Sequence, residues 1–382
     1  MKQKFPSGRR TSIYVIIEHY IHREILQRLL WLTAILILVL ASNRFVDYLG
    51  DAAAGKLASS VIFNMLWLKV LAMQPQLLPL ALFIAVILTY SRMNRDNELT
   101  IFMVSGLGRL YHLKVVSRFA AVFCVIAAAI SFIASPWAEA KIEELKIISR
   151  KESEISGLSA GQFREFSEGE RVVFVEKISD DRLAMENVFL QVRQGGKLGV
   201  LTSDRARFHV DGNSDQRFLV FENGRRYVGT PGMLDYRITE YDKYGVLMET
   251  KNPVAAAGTN LEALPTSVLL LSRLPMHRAE LQWRLSSVLA CLLLALLAVL
   301  LIQPSVSDQR YALLLIAILV YFLYSNLLGI SKTLLKRDEI THLLGLWWVH
   351  ALMISVLLLL YFLPVLIRGR RRGVAVQILP AE

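Results

Sequence analysis

The hydrophobic residues of this chain are gathered in long runs that lack charged side chains. A helix needs about 20 apolar residues to cross the hydrocarbon layer of a membrane. Five runs meet or approach that length, and they predict transmembrane helices two to six at residues 70–91, 119–138, 285–307, 311–331 and 340–367.

A less regular run nearer the N-terminus predicts the first span. Its charge-free part, residues 29–43, reaches the required length only when residue 25 and residues 44–48 are included. Arg44 lies in that extension. An arginine is tolerated near a helix end when its side chain reaches the headgroups or faces a polar cavity.

Between the third and fourth spans the pattern changes to short runs rich in β-forming residues. After a charged helical stem these runs are GQFREF, RVVFVEKIS, NVFLQVRQ, KLGVLTSDRARFHVD, QRFLVFENGRRYVGT and MLDYRITEY. The ENGRR segment between Phe221 and Tyr227 predicts a tight hairpin, because Asn and Gly tolerate positive φ. Several runs are apolar on both faces, so two interpretations stay open: a two-sheet sandwich, or a sheet whose second apolar face lines a groove for lipid chains.

The pattern predicts an α-helical membrane protein with six transmembrane helices, three on each side of an inserted β-domain. The predicted domains are residues 1–138 with the first three helices, 139–275 with the β-domain, and 276–382 with the last three helices and a basic tail.

The net charge of +11 is unevenly distributed. Lys and Arg are concentrated in residues 1–28, in the loop 92–118 and in the tail 368–372, whereas the short segments on the opposite side hold few. Cytoplasmic loops carry such an excess. Both termini are therefore predicted to be cytoplasmic, and the β-domain to lie outside.

The sequence gives little support to an enzyme. GDAAAGKL at residues 50–57 approaches a phosphate-binding loop, but Leu57 stands where that loop needs a hydroxyl, and no predicted strand precedes it. His342 and His350 near the sixth span are interpreted as interfacial or packing residues. We predict no catalytic residues, no metal site, no cofactor and no nucleic-acid partner.

The loop between spans two and three predicts a short cytoplasmic helix at about residues 94–105. A polar start is followed by apolar residues and a Ser-Gly stop. Such a helix either docks into a groove of a separate ATPase or lies on the membrane surface.

The order of these elements resembles a known family. Together with NELTIFMVSGLG, SPW at the end of span three, GQFREF followed by FVEKI, and RAELQWR at residues 278–284, it is similar to the LptF/LptG (YjgP/YjgQ) permeases of lipopolysaccharide export. RAELQWR is closer to the LptF branch. The resemblance covers nearly the whole chain.

The resemblance implies an ATP-driven exporter of the bacterial inner membrane. Its expected partners are a paralogous LptG-like permease, a dimer of an LptB-like ATPase, an LptC-like periplasmic jellyroll protein, lipopolysaccharide and membrane lipids. The periplasmic β-domain would then be a jellyroll. The alternative function is a non-transporting membrane scaffold or signalling protein with a periplasmic sensor domain.

The resemblance also implies site residues. Glu98, Ile101 and Phe102 match the segment of the coupling helix that contacts the ATPase. Arg44 matches the first of two basic residues that face the lipid A phosphates, but Asp47 stands at the second position. A pair between Arg44 and Asp47 is therefore the alternative to phosphate binding. Arg284 and Lys332, near the outer ends of spans four and five, are weaker candidates for binding lipopolysaccharide.

Overall fold

The computed structural model divides the chain into two compact units. One comprises the chain up to Val46, Phe63–Glu143 and the chain from Asn260 onward, and the other comprises Asp47–Ile62 and Glu144–Thr259. The structure describes residues 7–53, 57–156, 161–166, 171–179, 184–194, 197–210, 217–230, 232–233, 235–247, 260–302 and 310–376. Part of the GDAAAGKL segment, residues 54–56, lies outside them.

Nine α-helices carry most of the described chain. They are α1 (Ser7–Ala53), α2 (Ile62–Arg95), α3 (Glu98–Val104), α4 (Arg109–Ala129), α5 (Ser135–Ser156), α6 (Thr266–Leu271), α7 (Pro275–Leu301), α8 (Arg310–Lys336) and α9 (Trp347–Val376). A π-helical segment, Ile130–Ala134, joins α4 to α5.

Among the described residues, five helical segments are long and apolar enough to cross a membrane, and they correspond to the first five of the six predicted spans. They are Tyr14–Ala53, Ser59–Arg95, Arg109–Ser149, Pro275–Leu301 and Ala312–Lys336. Helix α9 runs over Trp347–Val376, and its described apolar side chains cover Trp347–Phe362. The sixth span therefore stays a prediction.

Helix α7 lies at the centre of the helical core. Its buried residues include several alanines, among them Ala279, Ala290, Ala295 and Ala298. Small residues let helices approach closely where the surroundings are as apolar as the side chains. The charged residues Glu280 and Arg284 are buried on the same helix, so the local structure has to satisfy them.

Within the described residues, the six predicted β-rich runs form one antiparallel sheet with the strands in sequence order. The strands are β1 (Gln162–Phe166), β2 (Arg171–Ile178), β3 (Ala184–Gln194), β4 (Lys197–Val210), β5 (Arg217–Gly229) and β6 (Arg237–Leu247). One face carries a core that includes Val175, Val188, Leu201 and Phe221.

In each of the strands β2–β6 the register of paired residues passes over one residue, and these residues form a line across the sheet. They are Glu176, Asn187, Asp204, Asn223 and Asp242. Asn187 and Asn223 have φ values of 51° and 50°. Across the line the buried residues of β3, Met185 and Val188, are three positions apart, although strict alternation spaces them by two. Pairing continues in register beyond the line because each strand passes over one residue at the same level as its neighbour.

The hairpin predicted at ENGRR is wrong, because β5 runs through Asn223 and Gly224 and pairs with strands on both sides. Gly224 instead allows the Thr202 carbonyl and the Tyr241 hydroxyl to come close to the backbone of β5. A Cβ there would lie 2.1 Å from the Thr202 carbonyl oxygen and 2.4 Å from Tyr241 Oη. The Tyr241 hydroxyl donates a hydrogen bond to that carbonyl over 3.0 Å.

Candidate functional site

A polar cavity of about 320 Å³ lies within the helical unit. Two prolines inside α2, Pro75 and Pro79, line it, as do Trp283, Tyr321 and Tyr324. Its charged lining residues are Arg44, Lys69, Glu139, Glu262, Glu280 and Arg284. The cavity therefore brings six charged side chains together.

The cavity brings together the sequence-predicted lipopolysaccharide-binding residues. Arg44 on α1 and Arg284 on α7 both line it, and Arg44 is half-buried. Lys332 on α8 lies next to it, with its ammonium nitrogen 2.8 Å from Glu280 Oε2. Residues from three separate spans thus surround one site.

Glu280 joins two of these cations. Its other oxygen, Oε1, is 3.3 Å from Arg284 Nε. Glu280 is 2% exposed and Arg284 is 4% exposed. The Lys332 ammonium also lies 4.5 Å from the centre of the Trp283 ring, a cation–π contact. A buried carboxylate between two cations satisfies the requirement that buried charges be paired.

Arg284 also holds the segment that precedes α7. Nη1 donates to Thr266 Oγ1 at 2.9 Å. Nη2 donates to the carbonyls of Leu261, Glu262 and Leu264 at 3.4, 3.1 and 3.0 Å. Because these groups and Glu280 engage the guanidinium, Arg284 contributes charge to the cavity but offers few donors to a ligand.

Lys69 and Glu139 form a second ion pair at the cavity, with Lys69 Nζ 2.6 Å from Glu139 Oε1. Lys69 comes from α2 and Glu139 from α5. Near them Ser135 Oγ donates to the Ala72 carbonyl at 2.9 Å. Both contacts join α5 to α2 at the wall of the cavity.

His350 links three helices beside the cavity. The Tyr324 hydroxyl lies 2.9 Å from His350 Nδ1, and His350 Nε2 lies 2.9 Å from Ser286 Oγ. Tyr324 and Ser286 line the cavity, while His350 is buried. The structure thus places this histidine in helix packing.

The RAELQWR motif turns out to organise the site. Besides Glu280, Trp283 and Arg284, it supplies Gln282, which accepts a hydrogen bond from the Leu346 amide at 2.9 Å and donates to the His342 carbonyl at 2.8 Å. Gln282 therefore fixes the turn that leads into α9. The motif connects α7 to the loop before it, to α8 and to α9.

The predicted coupling helix is α3. Its Glu98 accepts a hydrogen bond from the Tyr20 hydroxyl at 2.9 Å and lies 3.2 Å from Arg92 Nη1. Leu99 is buried, whereas Ile101 is 61% and Val104 is 85% exposed. Phe102 is half-buried against the helical core. The outward apolar surface of α3 therefore consists of Ile101 and Val104.

Arg109, the first residue of α4, follows this helix closely. Its Nη2 donates to the Leu300 carbonyl in the last turn of α7 at 2.6 Å, and its Nη1 donates to the Leu360 carbonyl of α9 at 3.2 Å. The segment after α3 is thereby hydrogen-bonded to α7 and α9.

Sequence reasoning did not identify Lys69, Glu139 or Glu280 as members of the site. Glu280 and Arg284 have the i, i+4 spacing of a helical ion pair, which was a usable signal. Lys69 and Glu139 are 70 positions apart, so only the fold brings them together. Among the described residues, no group of three or more His, Cys, Asp or Glu is placed to hold a metal ion.

Comparisons with known proteins agree with these features. The family model described as "Lipopolysaccharide export system permease LptF/LptG" matches residues 19–362. The chain is 26% identical over 350 residues to the lipopolysaccharide export system permease protein LptF of Escherichia coli strain K12, covering 91% of this chain and 94% of that protein. The LptF proteins of Escherichia coli O157:H7 and Shigella flexneri match equally well. The chain therefore belongs to the LptF/LptG family of lipopolysaccharide export permeases.

Proposed function

We propose that this chain is the permease subunit of an ATP-driven exporter that extracts lipopolysaccharide from the inner membrane and passes it to a periplasmic β-jellyroll bridge. The observation that carries the proposal is the charged cavity among apolar helices of a family member. Lipopolysaccharide has an apolar body and phosphates, so an export site needs cations at the edge of an apolar environment.

Arg44 is the principal lipid-binding residue in this proposal. A guanidinium binds a phosphate through two parallel N–H donors, and Arg44 lines the cavity. Arg284 and Lys332 act mainly through their charge, because Glu280 and, for Arg284, backbone carbonyls already engage them.

The chain holds no ATPase motif in this proposal and relies on a separate LptB-like dimer. Helix α3 is the contact, with Ile101 and Val104 as the exposed apolar residues and Glu98 beside them as the charged one. Phe102 packs against the helical core and holds α3 in the orientation that exposes Ile101. An apolar helix in a groove is a common mode of recognition.

The remaining partners follow from the topology. Six spans with cytoplasmic termini would place the β-sheet in the periplasm, where an LptC-like jellyroll could accept the lipid. The sheet has its edges at β1 and β6, and strand edges recruit further strands. An LptG-like paralogue completes a heterodimer in the membrane.

Two experiments test the proposal. Affinity purification of the tagged chain should recover an LptB-like ATPase and an LptG-like permease, and recovery of neither would favour the membrane scaffold. In cells that depend on this chain, Arg44→Glu should abolish export, while Arg44→Lys should retain part of it because the charge survives. Normal growth and an intact outer-membrane barrier with Arg44→Glu would refute the assignment of Arg44.

A further inference from the structure

Lys69 is a basic residue of the cavity to which the family resemblance gives no role. It lies on α2, opens onto the cavity that Arg44 also lines, and has a side chain that is 20% exposed. It forms an ion pair with Glu139, whose side chain is almost fully buried. The pair therefore sits at the boundary between the cavity and the helix core.

Lys69 differs from Arg284 in the number of N–H donors that a ligand can still use. Arg284 uses its donors on Glu280, Thr266 and three carbonyls, as described above. An ammonium group has three N–H donors, and among the described residues Glu139 is the polar partner that Lys69 contacts. Lys69 can therefore receive an anionic ligand without breaking a network of backbone contacts.

We infer that Lys69 and Arg44 together bind a phosphate group of the lipid, and that Glu139 is the resident anion with which this phosphate competes for the Lys69 ammonium. The inference rests on the proposed function. Residue 47, where the family resemblance implies a second basic residue on the first span, is an aspartate, so here the second cation comes from α2. The two groups are complementary, because arginine binds phosphate in a bidentate fork and lysine binds it as a point charge.

The size of the cavity fits this ligand class. Its volume of about 320 Å³ is at the lower end of the range of about 300–1,000 Å³ for small-molecule sites. It accommodates a phosphorylated sugar of a lipid headgroup and not the acyl chains. The chains then remain in the surrounding membrane.

The competing explanation is that the Lys69–Glu139 pair only joins α2 to α5. Lys69→Met and Glu139→Gln both break that pair, so a purely structural pair predicts the same effect for both. A phosphate site predicts opposite effects, because Lys69→Met removes the ligand's partner and Glu139→Gln removes its competitor. The comparison therefore separates binding from packing.

The experiment uses the full chain in its purified complex, in nanodiscs, with a photo-crosslinking residue at Met73. Met73 lines the cavity and lies one helical turn after Lys69. The probes are lipopolysaccharide with both lipid A phosphates and the same material after phosphatase treatment. Lys69→Met should lower the adduct with the phosphorylated probe about tenfold or more, whereas Glu139→Gln should keep or raise it. Lys114→Met, at an exposed lysine of α4 that does not line the cavity, is the matched control and should leave the adduct unchanged.

The outcomes are distinct. Equal losses with Lys69→Met and Glu139→Gln would show a structural pair, and an adduct insensitive to phosphatase would exclude phosphate recognition; either overturns the inference alone. Inorganic phosphate at the concentration of the lipid should not compete, and loss of the adduct in its presence would assign the site to free phosphate. Failure of the unmodified complex to form any adduct would overturn the proposed function as well.

Discussion

Replacing Glu280 with glutamine should destabilise the helical unit, because it leaves two cations without their shared carboxylate. Glu280 is 2% exposed and lies between Arg284 and Lys332, at 3.3 and 2.8 Å. Glutamine has nearly the same shape as glutamate. The substitution therefore removes charge and changes packing very little.

The expected size of the effect follows from the contacts that remain. Arg284 keeps Thr266 and three carbonyl acceptors, so most of the penalty falls on Lys332, which keeps its contact with the Trp283 ring. Removing one partner of a buried ion pair costs about 3–5 kcal/mol. We expect the lower end of that range for Glu280→Gln.

A double-mutant cycle isolates the interaction. The free energy of unfolding of the purified complex is measured for the unmodified chain, Glu280→Gln, Lys332→Met and the double variant. The two substitutions should be non-additive by about 1–3 kcal/mol, because once Lys332 is neutral the carboxylate has one fewer cation to pair. Glu18→Gln is the control, since the partner of Glu18, Arg118, is largely exposed and such pairs contribute only about 0–1 kcal/mol. Additive effects, or a Glu280→Gln variant as stable as the unmodified chain, would refute the reasoning.

Three further predictions concern α3 and the sheet. Ile101→Asp should reduce co-purification of the ATPase without lowering stability, whereas Phe102→Ala should lower both because Phe102 packs inward; equal behaviour of the two would contradict the assignment of faces. Gly224→Ala should destabilise the sheet by about 1–3 kcal/mol, seen as faster hydrogen exchange in β5, because the added Cβ has no room. The Arg207 guanidinium lowers the pKa of Glu222 from its ordinary value of 4.5, so Glu222 should stabilise the sheet above pH 4.5 and lose that contribution as the pH falls through the lowered pKa. Hydrogen exchange in β4 and β5 across that pH range should show the loss, and Arg207→Met should remove it.

The helices could be predicted from sequence because a membrane span requires a length of apolar chain that few other structures need. Five predicted spans coincide with helices of the structure. The first was the hardest because Arg44 interrupts it, and the structure explains the interruption by placing Arg44 at the cavity. The sixth stays untested because the described side chains of that helix end at Phe362.

The strands could be located from sequence, but their connection at Asn223–Gly224 could not. An Asn-Gly pair favours a hairpin when the chain reverses and a close approach when a neighbouring strand crosses it. The deciding group is Tyr241, whose hydroxyl reaches the Thr202 carbonyl over Gly224. No local pattern identifies a tyrosine that is two strand segments away from Thr202.

The sequence predicted cations of the site but not the carboxylates that pair with them. Arg44 stood out because a charge within a predicted span is costly, and the family resemblance implied Arg284 and Lys332 as weaker candidates. What each cation can do depends on the carboxylate it meets, and Glu139 and Glu280 reach their partners only through the packing of separate helices. The availability of a cation for a ligand is therefore a property of the fold.

Helix α7 is a structural element shared by the cavity and the segment that follows α3. Its first turns hold Glu280 and Arg284 at the cavity, and its last turn offers the Leu300 carbonyl to Arg109, five residues beyond the end of α3. A helix of 27 residues is about 40 Å long, so α7 reaches from the cavity to the Arg109 contact. A displacement of α3 by an ATPase would act on α7 through Arg109, and α7 carries the groups that pair Lys332 and hold the loop before the cavity. Contact alone does not show that a displacement of α3 is transmitted to the cavity. Transmission requires that α7 have two packed positions. The ion pairs of Glu280 are the contacts whose strength would set the equilibrium between those two positions.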